Sequence, residues 1–169
     1  MKTDMQDAQN RIPLISRADE SDLQEILDLQ YLAYQSEAAL FGSTEIPPLK
    51  QTLNEVQAEY RSGIILKMMQ NGRIIGSVRA REQDGTVYIG KLMVHPAHQR
   101  KGYGSELLAA IEGCFPGKRY ELFTSTRSRE NIRLYQKAGY VIFDTKADGG
   151  ELVFVYLQKT THEHAGEFT

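Results

Sequence analysis

Tryptophan is absent, and cysteine occurs once, at Cys114. One thiol cannot form an internal disulfide framework, so the fold must rest on a packed core. Cys114 lies between Ile111 and Phe115 in an apolar helical stretch with no histidine near it in sequence. That setting suits a buried structural thiol rather than a nucleophile. Charge of one sign is also missing: 20 Lys plus Arg against 22 Asp plus Glu give a net charge of -2. That balance offers no electrostatic basis for binding nucleic acid or an anionic membrane, so a small molecule or another protein is the expected partner. Met1 to Arg11 is polar and mixed in charge, with no apolar run that could serve as a signal peptide or span a bilayer. A cytoplasmic protein is expected. Metal-ligand sets are lacking too, because His162 and His164 stand in a polar tail without a third ligand.

What is present fits one domain. The 169 residues, 41% of them apolar, suffice for a real core. Residues 1–10 and 160–169 read as loose ends around a single domain over 11–159. Ile12 to Arg17 reads as a strand. From Ser21 a helix follows, with Leu23, Ile26, Leu27, Leu29, Gln30 and Ala33 at three- and four-residue spacing. After Gly42 and the Pro47-Pro48 break, Leu49 to Tyr60 predicts a second helix, stopped by Gly63. Ile64 to Met69, Arg73 to Arg81 and Thr86 to Val94 read as strands joined by Asn71-Gly72 and Asp84-Gly85. These are strong short hairpin signals, and they predict an antiparallel meander.

A helix over about Gly102 to Phe115 follows, then a strand over Arg119 to Thr124 and a helix over Asn131 to Ala138 capped by Gly139. Tyr140 to Thr145 and Glu151 to Gln158 close the chain as a hairpin around Asp148-Gly149-Gly150. The order β-α-α-β-β-β-α-β-α-β-β predicts an α/β fold with one mixed, mainly antiparallel sheet of six to seven strands and helices on both faces.

The chemistry concentrates at Gln99-Arg100-Lys101-Gly102-Tyr103-Gly104, between a strand and a helix. The first N–H groups of a helix have no intrahelical partner and sit at its positive end, so a helix entered through glycines suits an anion. Gly102 and Gly104 would let a diphosphate approach the backbone, and Arg100 and Lys101 add positive charge. A Rossmann fingerprint would need a third glycine where Leu107 stands, and a P-loop would need Gly-Lys-Ser/Thr. A domain holding ATP or NAD is therefore the weaker reading.

Gln99-x-x-Gly102-x-Gly104, following Leu92-Met93-Val94-His95-Pro96, resembles the signature of the GNAT superfamily of N-acetyltransferases. A second block, Asn131 to Tyr140, resembles that superfamily too, and the likeness extends from about Ile12 to Gln158. The resemblance implies an acyltransferase with acetyl-CoA as co-substrate and no metal. It places the pantetheine arm along the backbone of Leu92, Met93 and Val94, and the pyrophosphate on the amides of Arg100, Lys101, Gly102, Tyr103, Gly104 and Ser105. Asn131 would cap its helix, contact coenzyme A, or both. Tyr135 matches the family tyrosine that acts as general acid or hydrogen-bonds the thioester sulfur.

The base departs from the family pattern. Glutamate positions on the fourth and fifth strands of two family branches correspond here to Tyr88 and Phe123, and the position seven before the tyrosine is Ser128. Glu121, which shares the strand parity of Phe123, together with Tyr88 and His95, is left as a candidate for relaying a proton. Tyr31, Tyr34, Glu37 and Glu45 form an acidic and aromatic set that suits a cationic amine acceptor. The missing strand glutamates also fit an acyl-CoA-binding sensor without catalysis. A homodimer is compatible with all of these readings.

Overall fold

The computed structural model describes residues 12–161. Its elements run β1 (Leu14–Arg17), α1 (Leu23–Ala33), α2 (Gln35–Phe41), a short α3 (Pro47–Lys50), α4 (Leu53–Ser62), β2 (Ile64–Gln70), β3 (Arg73–Gln83), β4 (Thr86–Val94), α5 (Tyr103–Gly113), β5 (Arg119–Ser125), α6 (Arg129–Lys137), β6 (Val141–Ala147) and β7 (Val153–Thr160). The seven strands form one sheet in the order β1-β2-β3-β4-β5-β7-β6. Every neighbouring pair is antiparallel except β4 with β5. This is the mixed sheet expected from the sequence. The segment expected to be loose over 1–10 lies outside the described residues, as do His162 and His164. Thr160, placed in the tail by composition, is instead the last residue of β7.

Both meander turns follow the sequence signal: Asn71, Gly72, Asp84 and Gly85 all have positive φ, the twist that joins antiparallel strands in two residues. The helical half of the expectation needs two corrections. A separate helix, α2, follows α1 after a bend at Tyr34, whose backbone stays right-handed. The helix expected over Leu49 to Tyr60 is interrupted at Gln51 and Thr52, where the chain turns extended. Thr52 and Glu55 then form a capping box that starts α4, because side-chain oxygens satisfy N–H groups that the helix leaves unpaired.

Each face of the sheet carries its own core. Leu107, Leu108 and Ile111 of α5, with Tyr135 of α6, pack on Leu66, Met68, Val78, Val87 and Leu157. Leu23, Ile26, Leu27 and Leu29 of α1, with Val56 of α4, pack on Ile65, Ile74 and Met93. Covered on both sides, β3 is buried continuously from Ile74 to Ala80, which is why its sequence lacks alternation. No described helix is long and apolar enough to cross a membrane.

Inside that buried run stands a charge. Arg79 is only 5% exposed, and its guanidinium donates from Nη2 to Gln30 Oε1 at 2.8 Å and Gln51 Oε1 at 2.6 Å. Its Nε lies 2.6 Å from Glu59 Oε2. Gln30 therefore sits on the apolar stripe of α1 for a polar reason, since it also donates to the Pro48 carbonyl at 2.8 Å. This knot ties α1, α4 and the turn before α4 to the middle of the sheet.

Candidate active site

Strands β4 and β5 pair only from Thr86 to Tyr88 and from Arg119 to Glu121. Beyond those residues they no longer share a ladder, so the β4 edge from Ile89 to Val94 faces β5 without a partner strand. Between Gly90 and Met93 a bulge adds one residue to β4, and Lys91 takes a φ of 51° there. The unpaired edge leads into the turn Pro96–His98 and then to α5.

A cavity of about 620 Å³ follows this path. Leu92, Met93 and Val94 line one part of it, Gln99, Arg100, Gly102, Tyr103 and Gly104 another, and Arg127 to Asn131 with Leu134 close the far side. Tyr34 and Glu37 reach it from α1 and α2. Lys101, Ser105 and Tyr135 do not line it; beside Tyr135, Leu134 does.

The two glycines of the loop serve different needs. Gly102 caps α5 with a φ of 82°, a left-handed conformation in which a β-carbon is strained, although open space surrounds the position. At Gly104 the helix has begun, and an added β-carbon would lie 3.1 Å from Leu134 Cδ1. A side chain at 104 would therefore press on Leu134 of α6 by a few tenths of an ångström, a contact the loop pattern alone did not reveal. The first intrahelical bond from this end is Glu106 N–H to the Gly102 carbonyl at 3.2 Å. The amides of Tyr103, Gly104 and Ser105 precede it and remain at the positive end of the helix. His98 lines the same cavity with a buried, unpartnered Nδ1. Burial, then the charges of Lys101 and His95, hold its imidazole below its ordinary pKa.

Asn131 does not cap its helix. Ser128 occupies the N-cap, and Asn131 Nδ2 donates instead to Glu37 Oε1 at 3.1 Å and weakly to Thr124 Oγ1 at 3.5 Å. Burial raises the Glu37 carboxyl above its ordinary pKa, against the Asn131 bond and the Lys91 charge. Tyr135 is buried, with its ring centroid 6.1 Å from that of Tyr140. Its hydroxyl is pushed up by burial and then by Glu37, so it is a neutral phenol throughout the neutral range. Tyr34 is raised by burial, Glu37 and Tyr135, with Arg79 opposing.

The other sequence candidates lie elsewhere. Tyr88, Glu121 and Phe123 line a second cavity of about 310 Å³ on the α4 side of the sheet, with Glu59, Arg79, Arg81, Gly90, Lys91 and Tyr156. Glu121 is paired there with Arg119 at 2.5 Å. His95 accepts the Ala97 amide on Nδ1 at 3.0 Å and lines neither cavity. Tyr31 donates to the Gln51 carbonyl, and Glu45 forms an exposed ion pair with Lys50. Neither reaches a cavity, so the expected acidic and aromatic set divides, with only Tyr34 and Glu37 at the site. Residues that sequence reasoning missed are Lys91, Arg79 and Glu59. A charged residue inside the buried strand Ile74 to Ala80 was a signal for Arg79; the bulge that turns Lys91 left none.

The comparisons with known proteins bear on the family and the fold. Residues 23–140 match the model of the acetyltransferase (GNAT) family. The chain is 31% identical over 134 residues to UPF0157 protein YqkA of Bacillus subtilis, a match that takes in 78% of this chain and 38% of that longer protein. The chain thus spans well under half the length of this curated relative. Among solved structures, yncA from Salmonella typhimurium with its cofactor acetyl-CoA superposes with a TM-score of 0.69 at 22% identity, covering 92% of this chain and 98% of that one. PaiA N-acetyltransferase from Thermoplasma acidophilum, in complex with coenzyme A, gives 0.73 at 17% identity, covering 89% and 100%. These two likenesses show the shared fold. The family match, which spans both the glycine loop and the Asn131 to Tyr140 block, shows that the chain belongs to the acetyltransferase (GNAT) family.

Proposed function

We propose that the protein transfers the acetyl group of acetyl-CoA to a primary amine by direct attack on the thioester. One observation carries the reading: the unpaired edge of β4 at Leu92 to Val94 runs, within a single cavity, to the uncapped amides of α5. An extended amide-bearing arm would complete that edge as an added strand, while a diphosphate would meet the positive end of the helix. The coenzyme A and acetyl-CoA bound by the PaiA and yncA proteins support the same assignment.

In the proposed step the amine nitrogen attacks the thioester carbonyl carbon. A C–N bond forms, the C–S bond breaks, the amine loses a proton and the departing thiolate gains one. Tyr135, a neutral phenol, is the donor to the sulfur. Glu37 is the acceptor of the amine proton: of the two carboxylates at the cavity wall, Glu37 and Glu130, it is the one hydrogen-bonded to Asn131, and burial moves its pKa toward the range in which a base works. Glu121 and Tyr88 line the second cavity instead. Tyr135→Phe is expected to lower kcat about a hundredfold, the scale of general acid catalysis, with the affinity for coenzyme A held within about twofold. Thiol release and calorimetry together measure this.

A second reading is a sensor that binds acyl-CoA without turnover, favoured by the absence of carboxylates at Tyr88 and Phe123. It predicts tight coenzyme A binding and no thiol release with any amine.

A further inference from the structure

The second cavity carries more positive charge than its neighbours neutralise. Three cations line it, Arg79, Arg81 and Lys91, with two carboxylates, Glu59 and Glu121. Glu59 is engaged by Arg79, and Glu121 by Arg119. Arg81 donates to Gln83 Oε1 at 2.6 Å and lies over the Tyr88 ring at 4.8 Å, at the outer end. Lys91 has neither ion pair nor hydrogen bond to any described residue; burial and then the charge of Arg79 oppose its ionisation, while the charges of Glu59 and Glu37 favour it. Arg79 Nη1 is buried and also lacks a partner. A buried guanidinium N–H and a half-buried ammonium left unsatisfied in one cavity are costly unless an anion completes them.

The rest of the cavity is aromatic. Tyr88 and Phe123 come from β4 and β5, and Tyr156 of β7 stacks on Phe123 with ring centroids 5.3 Å apart. Phe123 is 56% exposed, so a ligand would cover apolar surface there. The bulge puts Lys91 in this cavity and its neighbour Leu92 in the first, so the two cavities meet at the same turn of backbone.

We infer that the second cavity receives the acceptor, and that the acceptor is a small amine carrying a carboxylate and an apolar or aromatic body, its carboxylate held by Lys91 and Arg79 Nη1. The inference rests on the acetyl-transfer reading for the reaction, and on the cavity alone for recognition. It reverses the charge expected from the sequence: the groups that single out the acceptor are cations, with Glu37 left for the amine itself.

The test compares three L-amino acids, phenylalanine, leucine and methionine, with their carboxamides as acceptors for acetyl-CoA. The carboxamides are the less basic amines and present more neutral nucleophile near neutral pH, so a preference for the acids must come from the protein. At least one acid should exceed its amide in kcat/KM by roughly tenfold or more, the scale of a charge-assisted hydrogen bond. In Lys91→Met, which keeps the length of the stem at the same backbone conformation, that ratio should fall toward one, chiefly through the KM of the acid. Lys91 is chosen over Arg79 because Arg79 also holds Gln30, Gln51 and Glu59. Amides transferred as well as acids in all three pairs, or a ratio unmoved by Lys91→Met, would overturn the inference and leave acetyl transfer standing. Calorimetry of the same pairs with the coenzyme A-loaded protein separates the other case. Acids bound in preference to amides without thiol release would sink the acetyl-transfer reading and uphold the subsite, whereas binding of neither class would remove the subsite.

Discussion

Gly102 shows how much one residue's backbone decides. Its positive φ orients the amides that follow, and no neighbouring atom lies within 4 Å of a β-carbon built on it. Gly102→Ala therefore isolates the backbone term: the expected loss of stability is about 1–2 kcal/mol, with weaker coenzyme A binding. Thermal denaturation and calorimetry measure the two effects. Glu59 presents the complementary case, a charge whose removal exposes a cost held elsewhere. Glu59→Gln leaves the Arg79 guanidinium, 6% exposed, without its counter-charge. A fully buried pair broken this way loses about 3–5 kcal/mol; with the Glu59 side chain 42% exposed, about 2–3 kcal/mol is expected in urea denaturation. The residues of the glycine loop were legible in the sequence because their requirement is local. Arg79 and Glu59 were not singled out because their partnership spans two elements far apart in the chain.

Among the elements, α1 is held to the sheet at its start as well as along its face. Asp22, just before α1, accepts from Lys67 Nζ of β2 at 2.7 Å and from the Asp19 amide at 2.7 Å. Burial pulls the Asp22 carboxyl upward, but the Lys67 and Asp19 bonds and the Lys67 charge outweigh it, and its pKa lies below its ordinary 3.8. A carboxyl lowered in the folded state contributes stability above its unfolded pKa, and that contribution is lost as pH falls through the folded value. Asp22→Asn should accordingly lower Tm at pH 7, and its difference from the wild type should shrink as pH drops below 3.8. Melting curves across the acid range check this. The meander and its turns could be read directly from Asn71-Gly72 and Asp84-Gly85. Helix α2 and the break at Gln51 and Thr52 could not: Tyr34 bends the chain without a glycine or proline, and at the break Gln51 meets Arg79 from a distant strand while Thr52 caps the next helix.

At the scale of the whole molecule, function arises where the sheet fails to stay paired. The order of elements predicted one mixed sheet, and the chain's family blocks predicted which loop meets the cofactor. Neither showed that β4 and β5 part after three residue pairs, that the bulge carries Lys91 toward Arg79, or that two cavities meet at Lys91 and Leu92. Those facts depend on register and strand order, which bring together residues as distant as Glu37 and Asn131. In the proposed function the parting of β4 and β5 would give the coenzyme an edge to bind, with Tyr135 of α6 and Glu37 of α2 as the proposed acid and base. The most direct measurement is thiol release from acetyl-CoA by the wild-type protein across a panel of primary amines, with the product identified by mass spectrometry. The account predicts acceptor-dependent thiol release matched by N-acetylated amine. Coenzyme A bound in the cavity with no acetylated product from any amine would contradict it.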